Sequence, residues 1–290
     1  MKVIIVPQQV WHGRPKGNIG SSVIRADWLQ EEWPESEIWA NGKQGDVFIL
    51  QKIYRRNFIA DIPGIKILDL CDPDWMVGDP ENGQMLELVD LSKLVDAITC
   101  SSDALTEFVK DKIKHIPVMT IPDRLNLKYF TKKKEHRGEA RKVVWFGYGH
   151  NAKKVLPDAL PSLKQHNYDL IVVSNVPFEP SDSCGVKIEN LTWTPNDAYM
   201  NIQMGDFAIN PASMEANYRF KSNNKTLIAW GLGLPVVNFA DDLERFKDPL
   251  ERQKEAEVRW EEIKQKWDIK LSVQSYKDLI CNIQKTKNNK

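Results

Sequence analysis

A chain of 290 residues, 42% of them apolar and 28% charged, carries enough core-forming side chains for two ordinary domains and too many for wholesale disorder. Forty Lys and Arg balance forty Asp and Glu, and the balance is also local: residues 1–141 carry 20 against 21, the remainder 20 against 19. Neither part has the basic excess of a protein whose affinity comes mainly from phosphate backbones.

No apolar run approaches the roughly 20 residues that span a bilayer, and MKVIIVPQQVW at the start reads as a buried strand rather than a secretory segment. Cys71, Cys100, Cys184 and Cys281 are scattered and form no CxxC pair, which points away from zinc or a disulfide framework and towards a reducing cytoplasm.

Short β-rich apolar runs alternate with longer amphipathic stretches, the rhythm of parallel α/β domains. The pattern predicts strands over Lys2–Pro7, Val47–Gln51, Ile65–Asp69, Ala97–Cys100 and Val118–Ile121, with helices near Ile19–Glu32, Met85–Leu94 and Ser102–Ile113. Ser101 or Ser102 is placed to cap the last of these, with Asp103 in its first turn. Residues 128–141 have no apolar periodicity and read as a linker, its Lys132, Lys133 and Lys134 solvated; Lys52 to Arg56 reads as a solvated strand end. The rhythm then restarts with the strand Lys142–Gly147, a helix over Leu156–His166, strands over Tyr168–Ser174 and Val186–Leu191, and a helix near Asn196–Met204. A strand over Asp206–Asn210, a helix over Asn223–Gly231 and a strand over Leu234–Asn238 follow. A charged helical tail from Asp242 to Asp268 leads into a final amphipathic helix near Val273–Lys285, with Tyr276, Leu279, Ile280 and Ile283 on one face. The expected layout is a first domain over 1–130, a linker over 131–141, a second domain over 142–270, and a last helix over 271–290 packing back on the first.

Four segments carry candidate chemistry. In the first, a helix opens at Ser222-Asn223-Asn224, with Arg219 and Lys221 just outside it. Free N–H groups and the helix dipole favour an anion there, and the two cations suit a diphosphate. In the second, Gly147, Gly149, His150 and Asn151 follow a strand; the glycines let backbone approach phosphate or ribose and Asn151 offers an amide. The third Gly of a dinucleotide fingerprint is missing there, which disfavours an NAD enzyme. The third segment is the loop after the first strand, with Gly13, Gly17 and Gly20, where His12 and Arg14 are placed to reach a ligand; Arg25 beyond it is a candidate partner for a carboxylate of the first domain. The fourth is Asp69–Asp79, where Asp72 and Asp74 sit at the carboxyl end of a strand as acceptor contacts or a base. Asp69, Asp72 and Asp74 also suggest a metal site, against which Pro73 and the missing Gly-x5-Glu weigh. No Gly-x-Ser-x-Gly elbow, Walker loop, HExxH or kinase signature is present.

The run Lys221-Ser222-Asn223-Asn224-Lys225, then Ala229, Gly231 or Gly233, and Pro235-Val236-Val237, resembles the donor-site element of the retaining group 1 glycosyltransferases of GT-B fold. It is most like a sub-branch whose helix begins Lys-Ser-x-Asn-Arg. The usual pair of glutamates is not reproduced: Glu215 lies too far upstream, and Asn223 or Asn224 stands nearer the second position. Val144–Asn151 resembles the Trp-x-Gly…Asn sequence of the same sub-branch, and Gln8–Arg25 its glycine-rich acceptor-domain loop. The resemblance implies two Rossmann-like domains facing a central cleft, with the C-terminal helix crossing back to the first. It also implies transfer from a nucleotide-diphosphate sugar, a UDP-sugar being one candidate, to an acceptor hydroxyl, with retention and with neither metal nor cofactor. On that footing His12, Asp72, Asp74 and Lys221 are the catalytic candidates. Gly17, Gly147, Gly149, His150, Asn151, Arg219, Lys221, Ser222, Asn223 and Asn224 are the donor-binding ones. A carbohydrate acceptor stands beside a phage-type alternative, 5-hydroxymethylpyrimidine in DNA, and beside a non-catalytic nucleotide- or sugar-binding module.

Overall fold

The computed structural model describes residues 1–11, 13, 20–73, 88–211, 216–238 and 243–289. His12, Arg14, Gly17, Asp74 and Glu215 therefore lie outside the described residues. The chain divides into two compact units: Met1–Asn126 with Arg219–Ser222 and Asp268–Lys290, and Leu127–Tyr218 with Asn223–Trp267.

In the first unit the chain runs β1 (Val3–Pro7), α1 (Gln8–Trp11), α2 (Gly20–Ser22), a π-helical turn (Val23–Asp27), α3 (Trp28–Glu32), β2 (Ser36–Ile38) and β3 (Val47–Gln51). It continues through α4 (Arg56–Asp61), β4 (Ile65–Leu70), α5 (Leu88–Leu91), β5 (Ala97–Cys100), α6 (Asp103–Lys112) and β6 (Val118–Thr120). The six described strands form one sheet in the order β2-β1-β3-β4-β5-β6, and every pairing is parallel. β1, β3 and β5 are buried on both faces, which is why they read as unbroken apolar runs rather than alternating ones. Ser102 caps α6 by accepting from the Leu105 N–H, as its position predicts.

The second unit runs β7 (Lys142–Gly147), α7 (Gly149–Val155), α8 (Leu160–Gln165), β8 (Asp169–Ser174), β9 (Ile188–Thr192), α9 (Ala198–Ile202), β10 (Phe207–Ile209), α10 (Asn224–Gly231), β11 (Val236–Val237) and α11 (Pro249–Lys266). Its sheet, in the order β11-β10-β7-β8-β9, is again parallel throughout. The last helix, α12 (Ile269–Asn288), returns to the first unit and buries Val273, Tyr276, Leu279, Ile280 and Ile283 there. Among the described residues no helix is long and apolar enough to cross a membrane.

Three expectations are corrected. A single helix over Leu156–His166 is instead a 3-10 turn at Pro157–Ala159 followed by α8, because Pro157 and Pro161 interrupt the hydrogen-bond ladder. Lys52 is not solvated: its ammonium is largely buried and pairs with Asp72 at 3.1 Å, while Arg56 opens α4. Nor is 131–141 a solvated linker. Lys134 donates from its backbone to the Leu232 carbonyl at 2.9 Å and from Nζ to the Gln203 carbonyl at 3.0 Å, and Lys133 lies 3.6 Å over the Trp260 ring. Arg252, fully buried, donates to the carbonyls of Phe246, Lys247 and Gly138 and to His136 Nδ1. Backbone carbonyls, rather than a carboxylate, satisfy its fork of donors.

Candidate functional site

In the second unit the chain steps from β7 to β8 and β9 on one side of the sheet, then to β10 and β11 on the other. The point where the order reverses, at the carboxyl ends of β7 and β10, is where open α/β sheets take ligands. Helix α10 starts on both of those ends. Thr226 in its first turn accepts a 3.5 Å hydrogen bond from the Asn210 side chain, just past β10. Lys225, its second residue, reaches back to Gly147 at the end of β7, following the tilt of helical side chains towards the N-terminus. Its ammonium lies 4.4 Å over the Trp145 ring.

Gly147 has φ +149°, and a Cβ there would stand 2.8 Å from both Cε and Nζ of Lys225. Glycine at this position lets the lysine cross the strand end. A cation in the first turn of a helix opposes the macrodipole by about 0.3–1 kcal/mol. The first turn of α10 contains no acidic residue, and Asn223 makes no side-chain cap. The first N–H groups of a helix point out of its start, towards whatever stands before it. A helix start without a side-chain cap from Asn223, beside a lysine that the dipole disfavours, is suited to an anion.

The remaining expected donor residues divide. Gly149 opens α7 and gives its N–H to Asn175 Oδ1 at 2.8 Å; a Cβ there would meet Val176 Cγ2 at 2.2 Å, so glycine is required by the chain itself. Tyr148 and His150 are exposed and Asn151 is half-buried. Asn223 and Asn224 are half-buried at the start of α10.

Arg219, Lys221 and Ser222 belong to the first unit. Lys221 is exposed, Arg219 lies 4.5 Å over the Phe220 ring, and Phe220 is buried against Phe108. The Ser222 hydroxyl donates to Asp123 Oδ2 at 2.5 Å. Asp123 also accepts from Arg25, which grips Asp69 through Nε at 2.7 Å and Nη2 at 2.5 Å. Thr99 and Tyr276 both donate to Asp69. Burial works against the charge of Arg25, but Asp69 and Asp123 outweigh it and hold the guanidinium well above its ordinary pKa. Asp69 is thus committed to holding the fold, and Arg25 is the carboxylate partner its position suggests.

Asp72 stands at the carboxyl edge of the first sheet, paired with Lys52. The Cys71 thiol beside it is pushed up to about 12 by burial and is no nucleophile at neutral pH. Among the described residues no group of three or more His, Cys, Asp and Glu is placed to hold a metal ion.

Sequence reasoning passed over Asn210, Thr226 and Lys225 as site residues. Lys225 stood in the quoted motif, and its position against the helix dipole was the available signal.

Neither a protein-family model nor a curated protein matches the sequence. Solved structures match the fold. Anabaena Alr3699/HepE, crystallised in complex with UDP, is 12% identical with a TM-score of 0.66, over 97% of this chain and 100% of its own. AviGT4, a glycosyltransferase involved in avilamycin A biosynthesis, is 12% identical with a TM-score of 0.59 over 98% of both chains. T4 phage BGT, solved with UDP and Mn2+, is 10% identical with a TM-score of 0.51, over 100% of this chain and 99% of its own. At these identities the likeness is one of fold: two Rossmann-like parallel α/β domains of the GT-B glycosyltransferase architecture.

Proposed function

We propose that the chain is a glycosyltransferase that moves a sugar from a nucleoside-diphosphate sugar to an acceptor hydroxyl. The observation that carries this reading is Lys225 lying on Gly147 beside the uncapped start of α10, at the switch point of the second sheet. The fold-level likeness to UDP-bound and glycosyltransferase structures supports the same conclusion.

In the reaction the bond from the anomeric carbon to the diphosphate oxygen breaks, a bond to the acceptor oxygen forms, and the acceptor proton leaves. Negative charge grows on the departing diphosphate, and the amides of Asn224 to Thr226 and the Lys225 ammonium are the groups to meet it. Lys221 and Arg219, close in the chain, remain candidates for the same anion. His12, Asp72 and Asp74 are the candidates for receiving the proton, and Asp72 is paired with Lys52 at 3.1 Å. A UDP-sugar donor, retention of configuration and independence of metal follow the resemblance of the donor element. The four free cysteines suit a reducing compartment such as the cytoplasm.

A thermal-shift panel of nucleoside diphosphates and their sugars tests the reading. At 100 times Kd a ligand stabilises by about 2.7 kcal/mol, several degrees for a chain of this size. No shift with any of them would remove the proposal. Nucleoside-diphosphate release, measured with carbohydrate acceptors and with 5-hydroxymethylpyrimidine DNA, with and without EDTA, then identifies the acceptor and any need for metal. A non-catalytic binding module has one observation in its favour. The fold is also similar to the accessory secretory protein 1, 2 and 3 structure of Streptococcus pneumoniae, with a TM-score of 0.52 over 84% of this chain and 55% of that one. A nucleotide shift without release for any acceptor would select that reading.

A further inference from the structure

The first sheet has a switch point of its own. The chain goes from β1 to β2 on one side and then to β3 on the other, so the order reverses at the carboxyl ends of β1 and β3, where open α/β sheets take ligands. Lys52 follows β3 there. Its N–H donates to the Asp69 carbonyl at 3.0 Å, one step past the Gln51–Asp69 pairing, and its backbone then turns with φ +55°. The left-handed region crowds a lysine Cβ, whereas glycine and asparagine enter it readily, and residues held in such conformations gather at functional sites. The turn takes a cation largely out of water: the Lys52 ammonium meets Asp72 Oδ2 at 3.1 Å with 9% of the side chain exposed, against 38% for Asp72. Asp72 follows an equally fixed backbone. The Ser101 N–H donates to the Leu70 carbonyl and the Ser101 hydroxyl to the Cys71 carbonyl, each at 3.0 Å. One carboxylate oxygen is thus held by a nearly buried ammonium while the group keeps more than a third of its surface open. Such a carboxylate accepts a hydrogen bond from a neutral hydroxyl and repels a diphosphate.

We propose that Lys52 is a positioning residue for the transfer: it holds the Asp72 carboxylate at the carboxyl edge of the first sheet, where that carboxylate accepts the hydrogen bond of the acceptor hydroxyl. The inference rests on the proposed transferase reading, in which the anionic donor belongs to the second sheet. Lys52 therefore acts on acceptor use and leaves nucleotide binding alone.

The experiment compares wild type with Lys52→Asn, Lys52→Met, Lys52→Arg, Asp72→Ala and the double variant Lys52→Asn with Asp72→Ala. Asparagine and methionine both remove the ammonium, but asparagine tolerates the positive φ, so Lys52→Asn melts no lower than Lys52→Met. Nucleoside-diphosphate release is measured with the donor chosen by the thermal-shift panel and with methyl glucoside or 5-hydroxymethylcytosine DNA as acceptor probe. For the probe that is glycosylated, kcat over acceptor KM falls about tenfold or more in both Lys52→Asn and Lys52→Met, while nucleoside-diphosphate Kd stays within about twofold. Lys52→Arg keeps a cation and recovers most of the loss. Action through Asp72 has a further signature: the double variant is no slower than Asp72→Ala alone, whereas a lysine that only supports the fold adds its own loss. If Lys52→Asn does not fold, Lys52→Met replaces it, alone and in the double variant, with the same expected directions. Transfer by the folded variant within about twofold of wild type, or losses that multiply in the double variant, overturn the proposal. If wild type binds no nucleoside diphosphate, the transferase reading itself fails; if it binds one but releases none with either probe, the binding-module reading is selected. In both cases the positioning role falls with the reading it rests on.

Discussion

Lys225→Met tests the proposed donor site directly, because it keeps most of the aliphatic stem and removes only the charge. The ammonium stands over Trp145 and against Gly147, beside first-turn amides with no side-chain cap. A unit charge about 4 Å from a diphosphate oxygen gains on the order of 4 kcal/mol at an effective dielectric of 20. Stripping water from the ammonium offsets part of that, and hydrogen bonds to charged groups net about 1.5–3 kcal/mol. Nucleoside-diphosphate Kd should therefore weaken roughly 10- to 150-fold. Titration calorimetry at two salt concentrations measures it, and the variant should also lose part of the salt dependence. The lost contact with Trp145 lowers stability by about 0.5–2 kcal/mol, so binding is compared well below the melting temperature. Lys221→Met run alongside ranks the two lysines. A Kd for Lys225→Met within about threefold of wild type would refute the assignment of the anion to this corner of the sheet.

Gly147→Ala places a methyl where Lys225 now lies and strains a backbone with φ +149°; weaker nucleotide binding of similar size is expected, and unchanged affinity would show that the close approach has no functional weight. Tyr276→Phe removes a 3.0 Å hydrogen bond to the buried Asp69 carboxylate, at a cost of about 1.5–3 kcal/mol. Hydrogen exchange should locate that loss in β4, β5 and α12, leaving β7 to β9 unchanged, and a loss below about 0.5 kcal/mol would contradict the network described. His136 donates from Nε2 to the Gly233 carbonyl and accepts at Nδ1 from Arg252, so the neutral ring fits its place. Burial, with Arg252 and Lys134 adding repulsion, holds its pKa below the usual histidine value. The folded state then binds fewer protons than the unfolded one at mildly acid pH. The stability from His136 is present above about pH 6.5 and is lost as pH falls below it. Urea unfolding between pH 8 and 5 should show this decline, flattened in His136→Gln; the same slope in both proteins would assign the effect elsewhere.

Much of the fold was legible in the sequence because parallel strands buried on both faces are unbroken apolar runs. Val47–Gln51, Ala97–Cys100 and Lys142–Gly147 are bounded as their composition predicts, and Ser102 caps its helix. The amphipathic face of α12 announced burial, and Tyr276, Leu279, Ile280 and Ile283 are buried together. Composition said less where context decides a charge. Lys133, Lys134 and Lys52 look solvated in a polar run, yet a tryptophan face, a carbonyl and an aspartate hold them in the fold. The donor motif could be quoted from sequence, but its roles could not be divided. Ser222 gives its hydroxyl to Asp123, 99 positions earlier, and Lys225 meets Gly147 across 78 positions. Local sequence sets periodicity, caps and strand ends, whose partners lie within a few residues. Which side of a helix start faces a strand end is settled only when distant segments pack. Those distant contacts are what the candidate site is built from.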